Sequence, residues 1–232
     1  MNFITNRKLH ILINGFNGNM GQAIQAQCEK LTDIQVSDFQ AKEFDLNNIS
    51  ALIDFSSPDG FNAALKFCKE NKIPFISGTT GLSDKNLKGL SAAKKIIPIL
   101  IASNMSLGIA NLKSVIENYL ITINAPVKCK IVEIHHTKKK DSPSGTALEI
   151  VRFLENYHAN KIDGLIDVES HRIGNTFGIH RVEFKSEEGI TNFQHFASSR
   201  DVFAKGALQA ARSINSMEIG EYNFADFLDK KL

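Results

Sequence analysis

The sequence predicts an α/β chain in two parts: a doubly wound parallel sheet, and a second α+β unit with a mixed or antiparallel sheet. Three observations carry this expectation. Up to about residue 120, short apolar runs alternate with segments of helical spacing across short loops, the pattern of parallel strands covered by helices. The first apolar run ends in a glycine-rich turn, GFNGNMG (15–21), directly before a helical segment. Beyond about residue 121 the strand-like runs lengthen, alternate in part, and follow one another with one clear helix among them, as an antiparallel sheet with one covered face would.

Taken in order, LHILI (9–13) is a short apolar run suited to a buried parallel strand, and QAIQAQCEKL (22–31) is the helix after the glycine turn. IQVSD forms a second strand ending at Asp38, and ALIDFS (51–56) a third. Pro58 and Asp59 open a helix whose apolar positions are Phe61, Ala64, Leu65 and Cys68, the 3.6-residue period of a core-facing stripe. IPFISGTTG (73–81) is a strand running into a glycine-threonine turn, after which Ser83 and Asp84 cap a further helix. IIPILIASN (96–104) is a strand ending at Asn104, and LGIANLKSVIENYL (107–120) is helical. VKCKIVEIH, HRVEF and TNFQHFAS are the longer strands of the second part, SGTALEIVRFLENYHA its helix. VFAKGALQAARSIN (202–215) is strongly helical, and FADFLDKK adds a short terminal turn.

Composition narrows the function classes. Of 232 residues, 43% are hydrophobic and 22% charged, with a net charge of +2; this is an ordinary globular balance without the field that nucleic-acid or membrane binding requires. No apolar run approaches the ~18 residues that cross a bilayer, and MNFITNRKLHILING lacks the layout of a signal peptide. Cys28, Cys68 and Cys129 are scattered without CxxC spacing, which points to a reducing, cytoplasmic setting and to packing roles for the thiols.

Gly15, Gly18 and Gly21 space the turn as GxxGxxG. Glycines there allow a tight turn and close approach of backbone to a ligand, and free N–H groups at a helix start favour a pyrophosphate. Taken alone, the turn is equally compatible with no ligand. Asp38 stands 17 residues after Gly21, at a strand end, where an acidic side chain accepts from ribose hydroxyls and repels a 2′-phosphate. The only nearby cation in sequence is Lys42. The expected cofactor is a dinucleotide, NADH favoured over NADPH. SGTTG (77–81) and ASNMS (102–106) also end strands, where small and hydroxyl residues leave room for a nicotinamide ribose; taken singly, each is equally explained by ordinary turn and cap chemistry.

HHTKKKDSPSGTALEI (135–150) gathers two histidines, three lysines and an aspartate before a helix. Metal binding is disfavoured: neighbours on a strand point to opposite faces, and no HExxH spacing or Cys/His cluster is present. A solvated loop accounts for part of the lysine run. The remainder suits a carboxylate-binding acid–base site, with Ser144, Gly145 and Thr146 at a helix N-terminus as an anion cradle and a histidine as proton donor.

At this stretch the chain resembles the 4-hydroxy-tetrahydrodipicolinate reductase (dihydrodipicolinate reductase) family. The family pattern E-x-H-H-x-x-K-x-D-x-P-S-G-T-A is met by EIHHTKKKDSPSGTA (133–147), and GFNGNMG, IDFSSPDG, SGTTG, ASNMSLG and SSRDVFAKGAL follow in the family's order. The resemblance implies a Rossmann-type dinucleotide-binding domain from residues 1–106 and 204–232, and a substrate-binding and oligomerisation domain from 107–203 that builds a homotetramer through its sheet. It implies NAD(P)H-dependent reduction of a cyclic imine-like dicarboxylate with loss of water, in lysine and diaminopimelate biosynthesis. His135 would be the proton donor and Lys139 the second acid–base or electrostatic residue. His136, Gly145 and Thr146 would bind substrate, with Ser144 in support. Gly15, Phe16, Asn17, Gly18, Asn19 and Met20, then Asp38, then Gly78, Thr79 and Thr80, then Ala102, Ser103, Asn104 and Met105 would line the cofactor. Arg200 would serve the hinge or the site.

Departures from the family pattern concern the cofactor and the loops. The stretches 38–46 and 158–171 are abbreviated. Asn19 stands where the family usually has arginine, which with Asp38 favours NADH, while NADPH is tolerated; Met105 stands where phenylalanine is frequent. HRIGNTFGIHRVEF (171–184) retains the family's R-x-G…G-x-H arrangement; it offers two readings of His180, one that reaches the site and one that packs within a strand, and the second is expected. His10, His158, His171 and His195 carry no functional expectation. Two other readings remain: a dinucleotide-sensing protein without activity, which would have lost the His–Lys–SGT set, and a different nicotinamide-dependent dehydrogenase, which would not need the full string.

Overall fold

The computed structural model describes residues 8–41 and 43–227. In chain order, the first stretch carries β1 (Leu9–Asn14), α1 (Asn19–Cys28), β2 (Ile34–Asp38), β3 (Ile49–Asp54), α2 (Pro58–Asn71), β4 (Phe75–Ser77), α3 (Asp84–Ala93) and β5 (Pro98–Ile101). The middle carries α4 (Leu107–Thr122), β6 (Lys128–His135), α5 (Gly145–His158), β7 (Asp167–Arg172), β8 (Gly178–Ser186) and β9 (Gly189–Ala197). The chain then forms α6 (Asp201–Ser213), β10 (Gly220–Tyr222) and a 3₁₀ turn at Phe224–Phe227. These elements fall into two compact units: the described residues up to Met105 with those from Phe203 onward, and Ser106–Val202.

The first unit is a six-stranded sheet in the order β10-β5-β4-β3-β1-β2, parallel at every pairing. Its strands read as near-continuous apolar runs because both faces are covered: Ile11, Leu12, Ile13, Leu52, Ile53, Phe75, Ile76, Ile99 and Leu100 are all fully enclosed. Helix α2 supplies Phe61, Ala64, Leu65 and Cys68 to this core, the four positions marked by its spacing. Phe61 meets Phe75 edge-on with centroids 5.4 Å apart. Ser57 accepts from Gly60 N at the start of α2, and Ser83 and Asn86 form a reciprocal cap on α3, each satisfying amides that a helix start leaves bare.

The second unit is a four-stranded mixed sheet in the order β7-β6-β8-β9, with β6 and β7 parallel and the other two pairs antiparallel. Helices α4 and α5 close its core through Ile109, Leu112, Ile116, Leu120, Ile150 and Leu154, which pack on Ile131, Val182 and Phe184.

Some elements differ from the sequence reading. Helix α1 starts at Asn19, inside the glycine turn, and stops at Cys28. β7 was not anticipated: DVESHR has one apolar residue and no alternation to mark it. β10 is only three residues long. β8 and β9 extend beyond HRVEF and TNFQHFAS because they close into a hairpin in which Ser186 faces Gly189. The expected final turn at FADFLDKK is present over Phe224–Phe227; residues 228–232 lie outside the described residues, as does Lys42.

Candidate active site

In a parallel sheet all carboxyl ends share one edge, and here the strand order reverses at β1, which lies between β2 and β3. Such a switch point is where open α/β sheets bind ligands. The glycine turn follows β1 directly. Gly15 has φ +87, and an added Cβ would fall 2.4 Å from Phe55 O. At Gly21 a Cβ would fall 2.3 Å from both Gly15 O and Phe16 O. Only hydrogen fits at these two positions, so the backbone itself forms the cradle. Gly18 is the N-cap of α1 and provides no side-chain cap, which leaves the first-turn amides of Asn19, Met20 and Gly21 without that partner. Asn17, Gly18 and Asn19 are exposed. Asp38 ends β2, paired with Ile13 two residues before Gly15; its Oδ1 accepts from Gln40 N at 2.9 Å.

Beneath this edge lies a polar knot absent from the sequence reading. Asp54, at the end of β3, is 0% exposed. Its Oδ1 accepts from Asn14 Nδ2 (2.9 Å) and Ser56 Oγ (2.5 Å), and its Oδ2 from Ser77 Oγ (2.8 Å) and Thr79 Oγ1 (2.7 Å). The carboxyl group therefore ties the ends of β1, β3 and β4 together. Gly78 N donates to Asp54 O at 2.9 Å, and Ala102 N to Ser77 O at 3.0 Å, which brings the end of β5 into the same network. The expected cofactor residues are thus gathered on one edge of this unit, though not as equals: the hydroxyl of Thr79 is committed inward, whereas Thr80 and Ser103 reach the surface, and Asn104 and Met105 are buried.

In the second unit, the helix-covered face of the sheet changes character at one end. On β6 that face runs Cys129, Ile131, Glu133, His135, and on the antiparallel β8 it runs Phe184, Val182, His180, Gly178. The apolar half packs on the helices; the polar half meets the N-terminus of α5. His135 Nδ1 hydrogen-bonds Glu133 Oε2. Glu133 Oε1 accepts from Arg172 Nη1 (2.9 Å) and Ser144 N (3.2 Å). Ser144 caps α5, its Oγ accepting from Ala147 N, and the same Oγ lies 3.2 Å from His180 Nε2. The rings of His135 and His180 meet edge-on at 5.0 Å.

Lys139 Nζ contacts Asp141 Oδ1 at 2.9 Å, and Gly145 N donates to Asp141 Oδ2 at 3.3 Å. Lys138 and Lys140 are exposed and form the solvated part of the run. His136 Nδ1 is buried without a hydrogen-bond partner among the described residues. Thr146 is buried in the first turn of α5. The structure therefore brings His135, Lys139, Ser144, Gly145 and Thr146 around one helix start. Glu133 and Arg172 had no expected role, and His180, expected to pack within its strand, instead takes the alternative and reaches the site. Glu133 was legible, since alternate residues of a strand share a face; the other two needed the register of strands that sequence does not pair.

Charge in this cluster is strongly organised. Burial alone would raise the carboxyl of Glu133, but bonds from His135 and Arg172 outweigh it and hold it down at about 2. His180 is pushed down to about 3 by burial and then by the neighbouring His135, so it is neutral near pH 7. His136 is lowered by burial and by the charges of Arg200, His135 and Lys139. Arg200 lies 5.4 Å over the Phe177 ring. Glu133, His135 and His180 place potential metal-ligand atoms within 4.8 Å of one another. The Glu133 carboxylate there already faces a guanidinium and a peptide N–H, which opposes a second cation.

Comparison with known proteins agrees over most of the chain. Residues 27–105 match the family model for the dihydrodipicolinate reductase N-terminus, and residues 108–228 the model for its C-terminus. A 4-hydroxy-tetrahydrodipicolinate reductase of Alkaliphilus oremlandii is 34% identical, covering 95% of this chain and 99% of that protein. One from Bdellovibrio bacteriovorus is 35% identical, covering 96% and 97%. Among solved structures, a dipicolinate-bound dihydrodipicolinate reductase from Paenisporosarcina sp. TG-14 superposes with a TM-score of 0.72 at 17% identity, covering 93% of this chain and 97% of that one; at that identity it supports the fold.

Proposed function

The chain belongs to the dihydrodipicolinate reductase family, an NAD(P)H-dependent oxidoreductase, and from that premise we propose how its residues perform the reaction. The substrate is 4-hydroxy-tetrahydrodipicolinate; it takes up a hydride and a proton, loses water and becomes tetrahydrodipicolinate, a step of lysine and diaminopimelate biosynthesis. The observation that carries this reading is the grouping of His135, Lys139 and the Ser144–Thr146 helix start around one buried polar end of a sheet.

The first unit suits a dinucleotide because its turn is too tight for a Cβ at Gly15 or Gly21 and sets backbone amides at the uncapped start of α1. NAD(P)H would supply the hydride. Gly15 to Met20 would hold its pyrophosphate through backbone amides, and Gly78, Thr79 and Thr80, with Ala102 to Met105, would flank the nicotinamide end. Asp38 would accept from the adenosine ribose. A carboxylate there, and Asn19 in place of a cation, favour NADH over NADPH. Asp38→Ala should narrow that preference; a wild type that binds NADPH far more tightly would refute this account of the carboxylate.

In the second unit, Lys139 and the amides of Gly145 and Thr146 would receive a substrate carboxylate. His136, whose Nδ1 is left without a partner, would offer a further hydrogen bond. Asp141 bonds both Lys139 and Gly145 N, so an incoming carboxylate would compete with it. His135 would deliver the proton, a transfer worth about 10²–10⁴-fold in rate. Ser144 supports the cradle, its hydroxyl being engaged with Ala147 N.

The assembly we propose is a cytoplasmic homotetramer formed through the uncovered face of the second sheet, where Ile190 and Phe196 are more than half exposed. Light scattering on the eluting protein tests this, and a monomer would refute it. Among the described residues, no helix is long and apolar enough to cross a membrane. The decisive assay uses freshly generated substrate with each reduced cofactor, together with binding of pyridine-2,6-dicarboxylate. Oxidation of NADH and NADPH by neither route, or no affinity for the planar dicarboxylate, would overturn the proposal.

A further inference from the structure

Glu133 has no part in the roles proposed so far, yet it is the most enclosed charged group in the cluster, at 0% exposure. We infer that Glu133, anchored by Arg172, is a positioning residue that holds His135 by Nδ1 and so makes Nε2 the atom that delivers the proton. This inference rests on the reading of His135 as proton donor and deepens it.

The geometry leaves Glu133 little freedom. Its Oε1 is taken by Arg172 Nη1 at 2.9 Å and Ser144 N at 3.2 Å, so Oε2 is left for the imidazole. Arg172 is itself fixed: Nη1 also donates to His171 O at 2.7 Å, and Nη2 donates to Asp141 O. The carboxylate is therefore clamped to the strand pair β6–β7 and to the loop that carries Lys139. A histidine held at Nδ1 by a fixed carboxylate has one tautomer and one ring orientation, which presents Nε2 for proton transfer. The opposite edge of the ring is consistent with this use. Nε2 would lie 3.1 Å from a Cβ at residue 178, but Gly178 has none, so no side chain of that residue crowds the nitrogen.

A purely stabilising ion pair would explain the Arg172 contact but not the imidazole. Buried pairs contribute little net stability after desolvation, and a pair kept for packing alone would not need to place its second oxygen on a histidine. The register explains the grouping: Glu133 and His135 share a face, and Arg172 is the parallel partner of His135 across β6–β7.

The test is a double-mutant cycle on the intact protein, with Glu133→Gln, His135→Gln and the pair, following kcat, KM and NADH affinity. Expected is a fall in kcat of roughly 10²-fold for Glu133→Gln, NADH affinity unchanged, and a pair no slower than His135→Gln alone. Glu133→Asp should recover part of the loss. Losses that multiply in the pair, or a Glu133→Gln enzyme with full turnover, would overturn the inference while leaving His135 as donor. Full turnover in His135→Gln would instead remove the donor assignment itself. Should Glu133→Gln fail to fold, the wild type still decides: nitrogen-15 spectra must show a deshielded proton on His135 Nδ1 that is missing in His135→Gln, and its absence from the wild type would refute the clamp.

Discussion

Replacing Asp54 with alanine tests whether the cofactor edge is held by its buried polar knot. Four donors converge on that carboxyl group at 2.5–2.9 Å. They do not lose equally. Asn14 Nδ2 keeps Ser56 Oγ at 2.9 Å and Gly60 O at 3.0 Å, and Ser56 Oγ keeps a weak alternative in Ser57 O at 3.3 Å. Ser77 and Thr79 lose the partner toward which their hydroxyls point, in a place closed to water. Each buried donor left unmade costs about 1–3 kcal/mol, partly offset because a buried polar group has been removed with it. A loss of about 3 kcal/mol follows. The loops bearing Gly78 and Ala102 hang from the same ends, so NADH affinity should fall by about tenfold, or ~1.4 kcal/mol. Asp54→Asn keeps one acceptor oxygen and should lose less on both counts. Urea unfolding and fluorescence titration with NADH read the two effects. A variant within 1 kcal/mol of wild type (about the value of one net hydrogen bond) and with unchanged NADH affinity would refute the reasoning.

Gly21→Ala places a Cβ 2.3 Å from two backbone oxygens, so NADH binding should weaken more than about tenfold while pyridine-2,6-dicarboxylate affinity is retained; retained NADH affinity would dismiss the backbone cradle. His180, lowered from 6.5 to about 3, stays neutral in the folded chain while the unfolded chain takes up a proton below pH 6.5. Stability therefore falls as pH drops from about 6.5 toward 3, by about 2 kcal/mol at pH 5, and His180→Gln should remove that part of the slope in urea midpoints at pH 7 and pH 5. The thiols of Cys28 and Cys129, pushed up to about 11 and about 12 by burial, and the enclosed Cys68 should react with a thiol reagent only after unfolding; rapid reaction of the native protein would contradict their burial.

How much of this was legible depended on whether the cause was local. Runs such as LHILI and the stripe Phe61, Ala64, Leu65, Cys68 declare their element because burial on both faces, or on one helical face, selects the residues one by one. The Ser83 cap was readable for the same reason. β7 was hidden because DVESHR is half-exposed along its length, so no alternation was imposed on it. Asp54 carries no local signal because its meaning depends on Asn14, Ser56, Ser77 and Thr79, which only the pairing of β1, β3 and β4 brings together. Arg172 required the β6–β7 register. His180 looked like a strand histidine, and it is one; only the antiparallel pairing Glu133↔His180 puts it in the site.

The same distinction sorts the motif residues by what their polar atoms already do. Ser144 and Thr79 stand in the two most recognisable strings of the chain, PSGT and SGTT, yet their hydroxyls are engaged inside the protein with Ala147 N and Asp54. A group already satisfied in a buried place gains little from a ligand and loses its internal partner if it turns to one, so these residues set the shape of the loops. Thr80 and His136 are different: Thr80 is exposed, and His136 carries a buried nitrogen with no partner among the described residues. An orphaned buried nitrogen is costly until something fills its hydrogen-bond site, and a dicarboxylate can do so. By this reasoning His136→Ala should raise the KM for substrate more than it lowers kcat. Ser144→Ala, by contrast, should lose a helix cap worth about 1 kcal/mol of stability before it loses affinity. If calorimetry and steady-state kinetics gave the reverse order for these two positions, the division between shape-holding and ligand-holding residues would be wrong.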